Sequence, residues 1–526
     1  MWKAALLLAS AGAATAQQVP DARRPPIYAP SLPPEADPSV RARPVATPIA
    51  SLRDAIVTAY STNPDLLAER ATLRSTDERV PAARAGYGPS LNLQASHGYQ
   101  RDRTEVLEGL IQRRGGFSST AQAIVNQPLF TFGRLRSAED QALAQVAFGR
   151  DQLRLREAQV LLDVVGAFVA VKRDAQAVRI AQENLDLLGR QYRDSAERFR
   201  VREITSTDLQ QIETRVEVGR AQLVESQGRL GASRADFLAS VGAAPADDLP
   251  DPDPLPVEAG TIDQAYSQAE NDSALLRAAQ SREKISRAGI AAARAEQALR
   301  VDLRGSASYG PTLPTSNDLN SRQLRGDVSL SLPLIDSGLR RANLRGAQEA
   351  NDADRRLIDQ ALRETRQAVA SSWSQLVAAR AAIENYARAE DAARRAYEGA
   401  LEQEKAGART TLDVLDLLRD LLNARLNLVT ARANEQLARA NLLAATGRLE
   451  APLLVPGVKA YDPAEHYARV RRKGDVPLLT PALSALDGLA VRENRSDRPV
   501  RDPAGPLRTD PPVIRAEPAL PPLTKR

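Results

Sequence analysis

The chain carries one pattern twice. Pro128-Leu129-Phe130-Thr131-Phe132-Gly133-Arg134-Leu135-Arg136 returns as Pro333-Leu334-Ile335-Asp336-Ser337-Gly338-Leu339-Arg340-Arg341, an offset of 205. The same offset carries Tyr192 onto Tyr397, Thr205 onto Thr410, Asp208 onto Asp413, Leu238 onto Leu443 and Gly242 onto Gly447. Nearer the N-terminus the offset is 210, taking Ala55 to Ala265, Ala59 to Ala269, Ala83-Arg84-Ala85 to Ala293-Arg294-Ala295 and Tyr99 to Tyr309. A period of about 200 residues is too long for a solenoid unit, so the chain reads as a duplicated half-molecule. The offset changes between Tyr99 and Pro128, placing five extra residues of the first copy there. Loops absorb such insertions more readily than helices or strands.

A length of 526 residues alone suggests several domains, but the duplication argues for two similar halves of one body. Met1-Trp2-Lys3, an apolar run from Ala4 to Leu8 and the small residues to Ala16 have the layout of a secretory signal peptide over residues 1–16. The mature chain is therefore expected outside the cytoplasm. It has no cysteine, which excludes disulfides, thiolate metal sites and a cysteine-borne lipid anchor. No later stretch approaches 18 uninterrupted apolar residues, so only short alternating strands could cross a membrane. The 71 basic and 66 acidic residues are interspersed along helical stretches, as on solvated faces, with no basic stripe bearing aromatics for nucleic acid. His97 and His466 stand apart from any His or Cys, so no metal site is expected. No phosphate-binding loop is followed by Lys-Ser/Thr, and no constellation of nucleophile and base appears. The chain is read as no enzyme, with no cofactor.

Proline marks the boundaries. Residues 17–50 form a proline-rich arm and 245–260 a Pro/Asp linker, leaving repeats over 51–244 and 261–448, a C-terminal segment over 449–480 and a Pro/Arg-rich tail over 481–526. Fixed φ and missing N–H groups keep arm and tail extended or disordered. Ser51 with Asp54 opens a helix as a capping pair. Asn63-Pro64 restarts it, and it ends near Arg84. In the copy, Ser273-Ala274 replaces Asn-Pro, which predicts a softer break.

Alternation of period two follows. Leu91, Leu93, Ala95, His97 and Tyr99 face one way, and Asn92, Gln94, Ser96 and Gln100 the other. In the second half Val301, Leu303, Ala307 and Tyr309 oppose Asp302, Arg304, Ser306 and Ser308, and Val328 and Leu330 oppose Asp327, Ser329 and Ser331. Residues 119–130 form a weaker strand, with a glycine-rich loop expected near Gly115-Gly116. Apolar-out, polar-in strands of about 10 residues are the signature of a transmembrane β-barrel. A soluble sandwich edge is the alternative on the strands alone. Four strands cannot close such a barrel, since these start at about eight, so several chains must share one. Each hairpin leads into a very long helix, over 134–200 and 339–405, with apolar positions at coiled-coil spacing. A return helix follows each, over 206–242 and 412–447.

This order resembles the TolC family of outer-membrane efflux and type I secretion channel proteins. Its specific parts are Ser51-Leu52 to Asn63-Pro64, the two Pro-Leu-x3-Gly turns and Gly407-Ala408-Arg409-Thr410-Thr411-Leu412-Asp413-Val414-Leu415-Asp416. The resemblance implies an α+β membrane protein: long antiparallel coiled-coil helices forming a periplasmic tunnel, and four strands per chain in a twelve-stranded barrel of a homotrimer. It implies the outer membrane of a Gram-negative bacterium, contact with its lipid, a periplasmic adaptor and an inner-membrane transporter of the RND or ABC type. The channel is then a passive exit duct opened at its periplasmic end by those partners.

The resemblance also assigns residues. Asp413 and Asp416 match the acidic rings at the tunnel entrance, where three copies of each would attract cations and admit divalent block; the plainer reading of Asp413 is a helix-start acid complementing the dipole. Arg409 and Asp208 match a latch between the helix pairs, while Glu404 occupies the position of the family's latch tyrosine. Val201, Arg202, Gly407 and Ala408 form the tip turns that an adaptor would grip. Arg202 stands where glycine is usual, so a positive φ there would cost about 1 kcal/mol or more. Alternation makes Asn92, Gln94, Ser96, Asp302, Arg304, Ser306, Asp327 and Ser329 the expected barrel lumen. A periplasmic coiled-coil adaptor or scaffold also explains the helices, but neither the two hairpins at matching places nor the acidic tip.

Overall fold

The computed structural model describes residues 48–489, apart from Glu108, Pro314 and Thr315 at the two hairpin turns. The expected signal peptide, nearly all of the proline-rich arm and the tail beyond residue 489 lie outside the described residues.

Both halves repeat one plan. In the first, α1 (Leu52–Thr62), α2 (Pro64–Asp77) and α3 (Arg79–Ala85) lead into β1 (Ser90–Leu107) and β2 (Leu110–Phe130), then α4 (Arg134–Arg200) and α5 (Ser206–Val241). In the second, α6 (Ile262–Asp272) and α7 (Ala274–Ala295) lead into β3 (Arg300–Leu313) and β4 (Ser316–Ser331), then α8 (Leu339–Lys405) and α9 (Thr411–Ala445). Short helices α10 (Ala451–Leu454), α11 (Pro463–Val470) and α12 (Leu479–Gly488) finish the described chain. The long helices α4 and α8 have 67 residues each, about 100 Å at 1.5 Å per residue. Among the described residues no helix is long and apolar enough to cross a membrane.

Local chemistry fixes the helix ends. Ser51 accepts from the Asp54 amide and Asn63 from those of Asp65 and Leu66, with Pro64 at the first helical position. The break at Ser273 is as sharp as that at Asn63, not softer: ψ is 120° at Ser273 and 123° at Asn63. Ser273 caps α7 itself by accepting from Leu276. Gly447, at φ 73°, lies so close that a Cβ there would sit 2.3 Å from the Asp272 carbonyl oxygen. Packing against the end of α9 thus holds a break that in the first copy is reinforced by proline.

The helices pack as antiparallel pairs, α4 with α5 and α8 with α9, and α4 also meets α9 and so joins the pairs. The main core gathers α1, α2, the middle of α4, the ends of α5 and α9, and the linker through Leu249 and Leu255. Phe168 and Phe237 are fully buried there with ring centroids 6.3 Å apart. The linker is therefore packed down, and Ile49 at the end of the arm is buried too, exchanging backbone hydrogen bonds with Ala244 and Ala246.

The strands form one antiparallel sheet in the order β1-β2-β3-β4. They outrun the expected ten residues. Gly115 and Gly116 are not a loop but lie within β2, opposite Arg101 and Gln100. The Tyr99 side chain leans over Gly115, its hydroxyl 2.9 Å from where a Cβ would stand, so an aromatic neighbour covers the gap that glycine leaves in a strand. The five extra residues of the first copy are thus taken up in a longer hairpin. The C-terminal region also extends beyond the expected boundary at 480, because α12 is a folded helix packed against α4 and β2.

Candidate functional site: helix tips and sheet faces

At the far end of each helix pair the chain reverses in a few residues. The first tip runs through Val201 and Arg202, the second through Ala406, Gly407 and Ala408. Arg202 has φ 63° and Gly407 φ 71°. Each turn closes with the same backbone bonds: Glu203 N to Arg198 O and Arg202 N to Phe199 O in the first, Ala408 N to Gln403 O and Gly407 N to Glu404 O in the second. This is the Schellman closure, which wants glycine at the left-handed position; Arg202 holds it without that relief.

Thr205 and Thr410 then start the return helices with reciprocal capping boxes to Asp208 and Asp413. Asp208 accepts from the Thr205 hydroxyl and amide, which hold its carboxyl below the usual aspartate range. Asp413 likewise accepts from the Thr410 hydroxyl at 2.8 Å and from its amide at 3.4 Å. Asp416, one turn on, is half-exposed and meets Arg215 of α5 at 3.0 Å. The two carboxylates straddle the buried Val414 and Leu415, and Leu415 with Leu418, Leu188, Ile212 and Val216 forms the apolar seam between the helix pairs. Within one chain no group of three or more acidic, His or Cys side chains is placed to hold a metal, among the described residues.

The chain does not bring Arg409 onto Asp208, since the Asp208 carboxylate is occupied by Thr205 and Arg409 has no ion pair among the described residues. The bonds between the pairs are others. Arg215 to Asp416 is one. Glu404, only 8% exposed, is a second: it accepts from Gln191 of α4 at 2.9 Å and from Thr411 at 2.5 Å, with Arg198 of α4 3.6 Å away. Arg198 also reaches Glu203 at 3.3 Å, so it links the two tips. Where the resemblance expected a tyrosine, the chain has a buried carboxylate with its own partners. Sequence reasoning missed Arg215, Gln191 and Arg198 because each acts across helices, and the repeat gives no matching pair to flag them.

At the opposite end, the register sorts the sheet into two faces. Directly opposed residues share a face, and the chain Asn92–Ile124–Ser306–Arg325, with Gln94–Gln122–Ser308 and Asn126–Arg304–Asp327, runs along one of them. All eight expected lumen residues fall on this face: Asn92, Gln94, Ser96, Asp302, Arg304, Ser306, Asp327 and Ser329. The other face carries Leu91, Leu93, Tyr99, Phe117, Val125, Leu303, Tyr309, Leu324, Val328 and Leu330, all bare, with Leu93 78% and Leu324 89% exposed. An apolar expanse of this size is not left to water in a soluble protein.

The junction between sheet and helices differs between the halves. In the second, Asp336 accepts from the amides of Gly338 and Arg340 and so caps α8, which keeps its carboxyl below the usual range. In the first, Thr131 occupies the equivalent place, and Asp487 of α12 supplies the carboxylate. Asp487 is 2% exposed and accepts from the amides of Thr131, Gly133 and Arg136 at 2.9, 3.0 and 3.2 Å, and from the Thr131 hydroxyl at 2.9 Å.

The family model for outer membrane efflux protein matches residues 55–243 and 265–448, one match in each half. The chain belongs to the outer membrane efflux protein family. Outer membrane efflux protein BepC of Brucella suis is 31% identical over 425 residues, covering 80% of this chain and 91% of the relative. Protein CyaE of Bordetella pertussis is 28% identical over 409 residues, covering 76% and 84%. Among solved structures, CusC superposes with a TM-score of 0.66 at 18% identity over 76% of this chain and 92% of that one, which bears on the fold. As a member of this family the chain is an outer-membrane channel protein of the TolC type, with its helices in the periplasm.

Proposed function

We propose that three copies of the chain close a twelve-stranded barrel in the outer membrane and align their helices as one periplasmic tunnel, forming a passive exit duct for an efflux or type I secretion system. The observation that carries this reading is the sheet. It has one bare apolar face, one polar face and two edges, β1 and β4, that pair with nothing else among the described residues. Unpaired edges are intolerable in lipid, and neighbouring chains can satisfy them by joining β4 of one to β1 of the next. The apolar face then meets outer-membrane lipid, and the polar face, with Asn92, Gln94, Ser96, Asp302, Arg304, Ser306, Asp327 and Ser329, lines the lumen.

At the periplasmic end, Asp413 and Asp416 of three chains form an acidic entrance that selects cations and takes divalent block. Arg215–Asp416 and the bonds of Glu404 favour the closed arrangement. An exposed pair contributes only about 0–1 kcal/mol, so closure is biased rather than locked, and contact with partners suffices to open it. A periplasmic adaptor grips the tips at Val201, Arg202, Gly407 and Ala408, and an inner-membrane transporter of the RND or ABC type supplies the energy. No catalytic step is assigned to the chain.

The test is single-channel conductance in planar bilayers, comparing wild type with Asp413→Ala/Asp416→Ala with and without divalent cation. A small cation-selective conductance, blocked by the divalent ion in wild type alone, is expected. A channel indifferent to the double substitution overturns the acidic entrance but not the duct; a folded protein that forms no channel overturns the duct.

A further inference from the structure

We infer that the lipid-facing side of the barrel carries an arginine collar that binds phosphate-bearing headgroups of the outer leaflet. The register places Arg101, Arg103 and Arg113 on the same face as Leu91, Leu93, Tyr99 and Phe117, and Arg322 on that face opposite Tyr309. All four are exposed, and none has an ion-pair partner among the described residues, whereas arginines elsewhere in the chain repeatedly pair with acids.

Their position along the strands is specific. The apolar band on β1 runs from Leu91 to Tyr99, nine residues, or about 20 Å of membrane thickness at a tilt of roughly 40°. Arg101 is the next residue on that face. On β2 the band ends at Phe117 and is followed by Gly115 and Arg113; on β4 it ends at Leu324 and is followed by Arg322. Each arginine stands just past the band, on the side of the hairpin turns. The helices occupy the other side, so the turns point out of the cell and the collar lies at the outer leaflet. At the helix side of the same face the band ends in Leu91, Leu330 and Leu332, with no basic residue. The charge is thus confined to one leaflet.

The arrangement is also one that wants an anion. Arg103 and Arg113 are directly opposite each other, a like-charge pair that costs stability across strands. The nearest acid on that face, Glu105, is engaged by the Gly109 amide at 3.0 Å. The polar face does the reverse, setting Arg304 opposite Asp327 and Asp102 opposite Arg114. Two planar guanidinium groups side by side match the oxygens of a phosphate. Arg322 is further oriented by stacking over the Tyr309 ring at 5.8 Å, and Tyr99 and Phe117 meet edge to face at 5.2 Å beneath Arg101. Aromatic rings at headgroup level with cations above them form a coherent interfacial layer.

This inference rests on the outward assignment of the apolar face. The experiment purifies the full chain, exchanges it into nanodiscs containing bisphosphorylated lipid A or its dephosphorylated form, and counts retained lipid by native mass spectrometry. Wild type should retain the bisphosphorylated lipid preferentially, and less of it at high salt. Arg101→Gln/Arg103→Gln/Arg113→Gln/Arg322→Gln should lower retention by roughly fivefold per arginine at low ionic strength. Arg114→Gln/Arg304→Gln/Arg325→Gln, on the polar face, should not. Equal retention of both lipids by wild type, or equal loss from both variants, overturns the collar. Leu93→Cys separates the two failures. Labelling of Leu93→Cys by a lipid-phase reagent, together with undiminished retention by the first variant, removes the collar and leaves the barrel reading. Labelling by impermeant aqueous reagents alone removes both.

Discussion

Replacing Asp487 by alanine should loosen one junction of the molecule and leave its twin intact. Asp487 takes three backbone donors and one hydroxyl into a buried carboxylate, and hydrogen bonds to a charged group contribute about 1.5–3 kcal/mol each. Water reaches part of the site once α12 lifts, so the net loss is nearer 3 kcal/mol, roughly a hundredfold rise in local opening. Hydrogen exchange at the Gly133 and Arg136 amides reads this directly, with Gly338 and Arg340 as internal reference. Thr131→Asp in the same chain copies Asp336 of the second half. It should restore protection at Gly133 while α12 stays detached. Unchanged exchange at Gly133 and Arg136 in Asp487→Ala would refute the idea that the C-terminal helix completes the first junction. Failure of Thr131→Asp to rescue would refute the equivalence of the two halves there.

Gly407→Ala should destabilise the second tip by about 1 kcal/mol, because only glycine holds its φ without strain. Arg202→Gly should leave the first tip as protected or better, the relief of strain slightly exceeding glycine's added chain entropy; exchange at residues 201–204 checks this. Arg215→Ala should raise closed-channel conductance more than Arg409→Ala, since the structure pairs Arg215 and not Arg409 with an acid; the reverse order in bilayer recordings would restore the expected latch. Burial alone would raise the Glu283 carboxyl, but Arg287, Asn351 and Arg355 more than offset it and hold it below its ordinary 4.5. A depressed carboxylate stabilises the fold above its ordinary value and stops doing so as pH falls through the lowered one. The α7–α8 contact should therefore loosen as pH falls below the ordinary 4.5 and through the lowered value, and Glu283→Gln should flatten that pH dependence in local exchange. Cysteines at Asn92 and Asp327 should react with impermeant reagents from the aqueous phase, and protection of both would count against the lumen assignment.

Much of this architecture was legible because its signals are local. Gly133, Gly338, Thr205 with Asp208, and Thr410 with Asp413 mark the ends of the long helices, and alternation from Leu91 to Tyr99 gives both faces of the sheet. Alternation stops marking the strands beyond Tyr99, because Gln100, Arg101, Asp102 and Arg103 are polar on both faces. Outside the membrane there is no apolar side to alternate with. The helix α12 was hidden in a proline-rich context, and the value of Asp487 depends on a turn more than 350 residues earlier. The bonds between helix pairs, Arg215 to Asp416 and Glu404 to Gln191, follow from how the helices meet, which no spacing along one of them encodes.

The open edges of the sheet bear on how the chain reaches its final state. The helical body buries its own core and finds its hydrogen bonds within one molecule, so it can take shape in water. The sheet cannot: among the described residues β1 and β4 each leave one edge unpaired, and its apolar face has no partner until lipid is at hand. In the proposed trimer, insertion and the meeting of subunits are therefore coupled, because a lone inserted chain would leave both edges unpaired in lipid. The periplasm must carry a molecule that is finished at one end and unmade at the other. Whatever escorts it needs to shield only four strands.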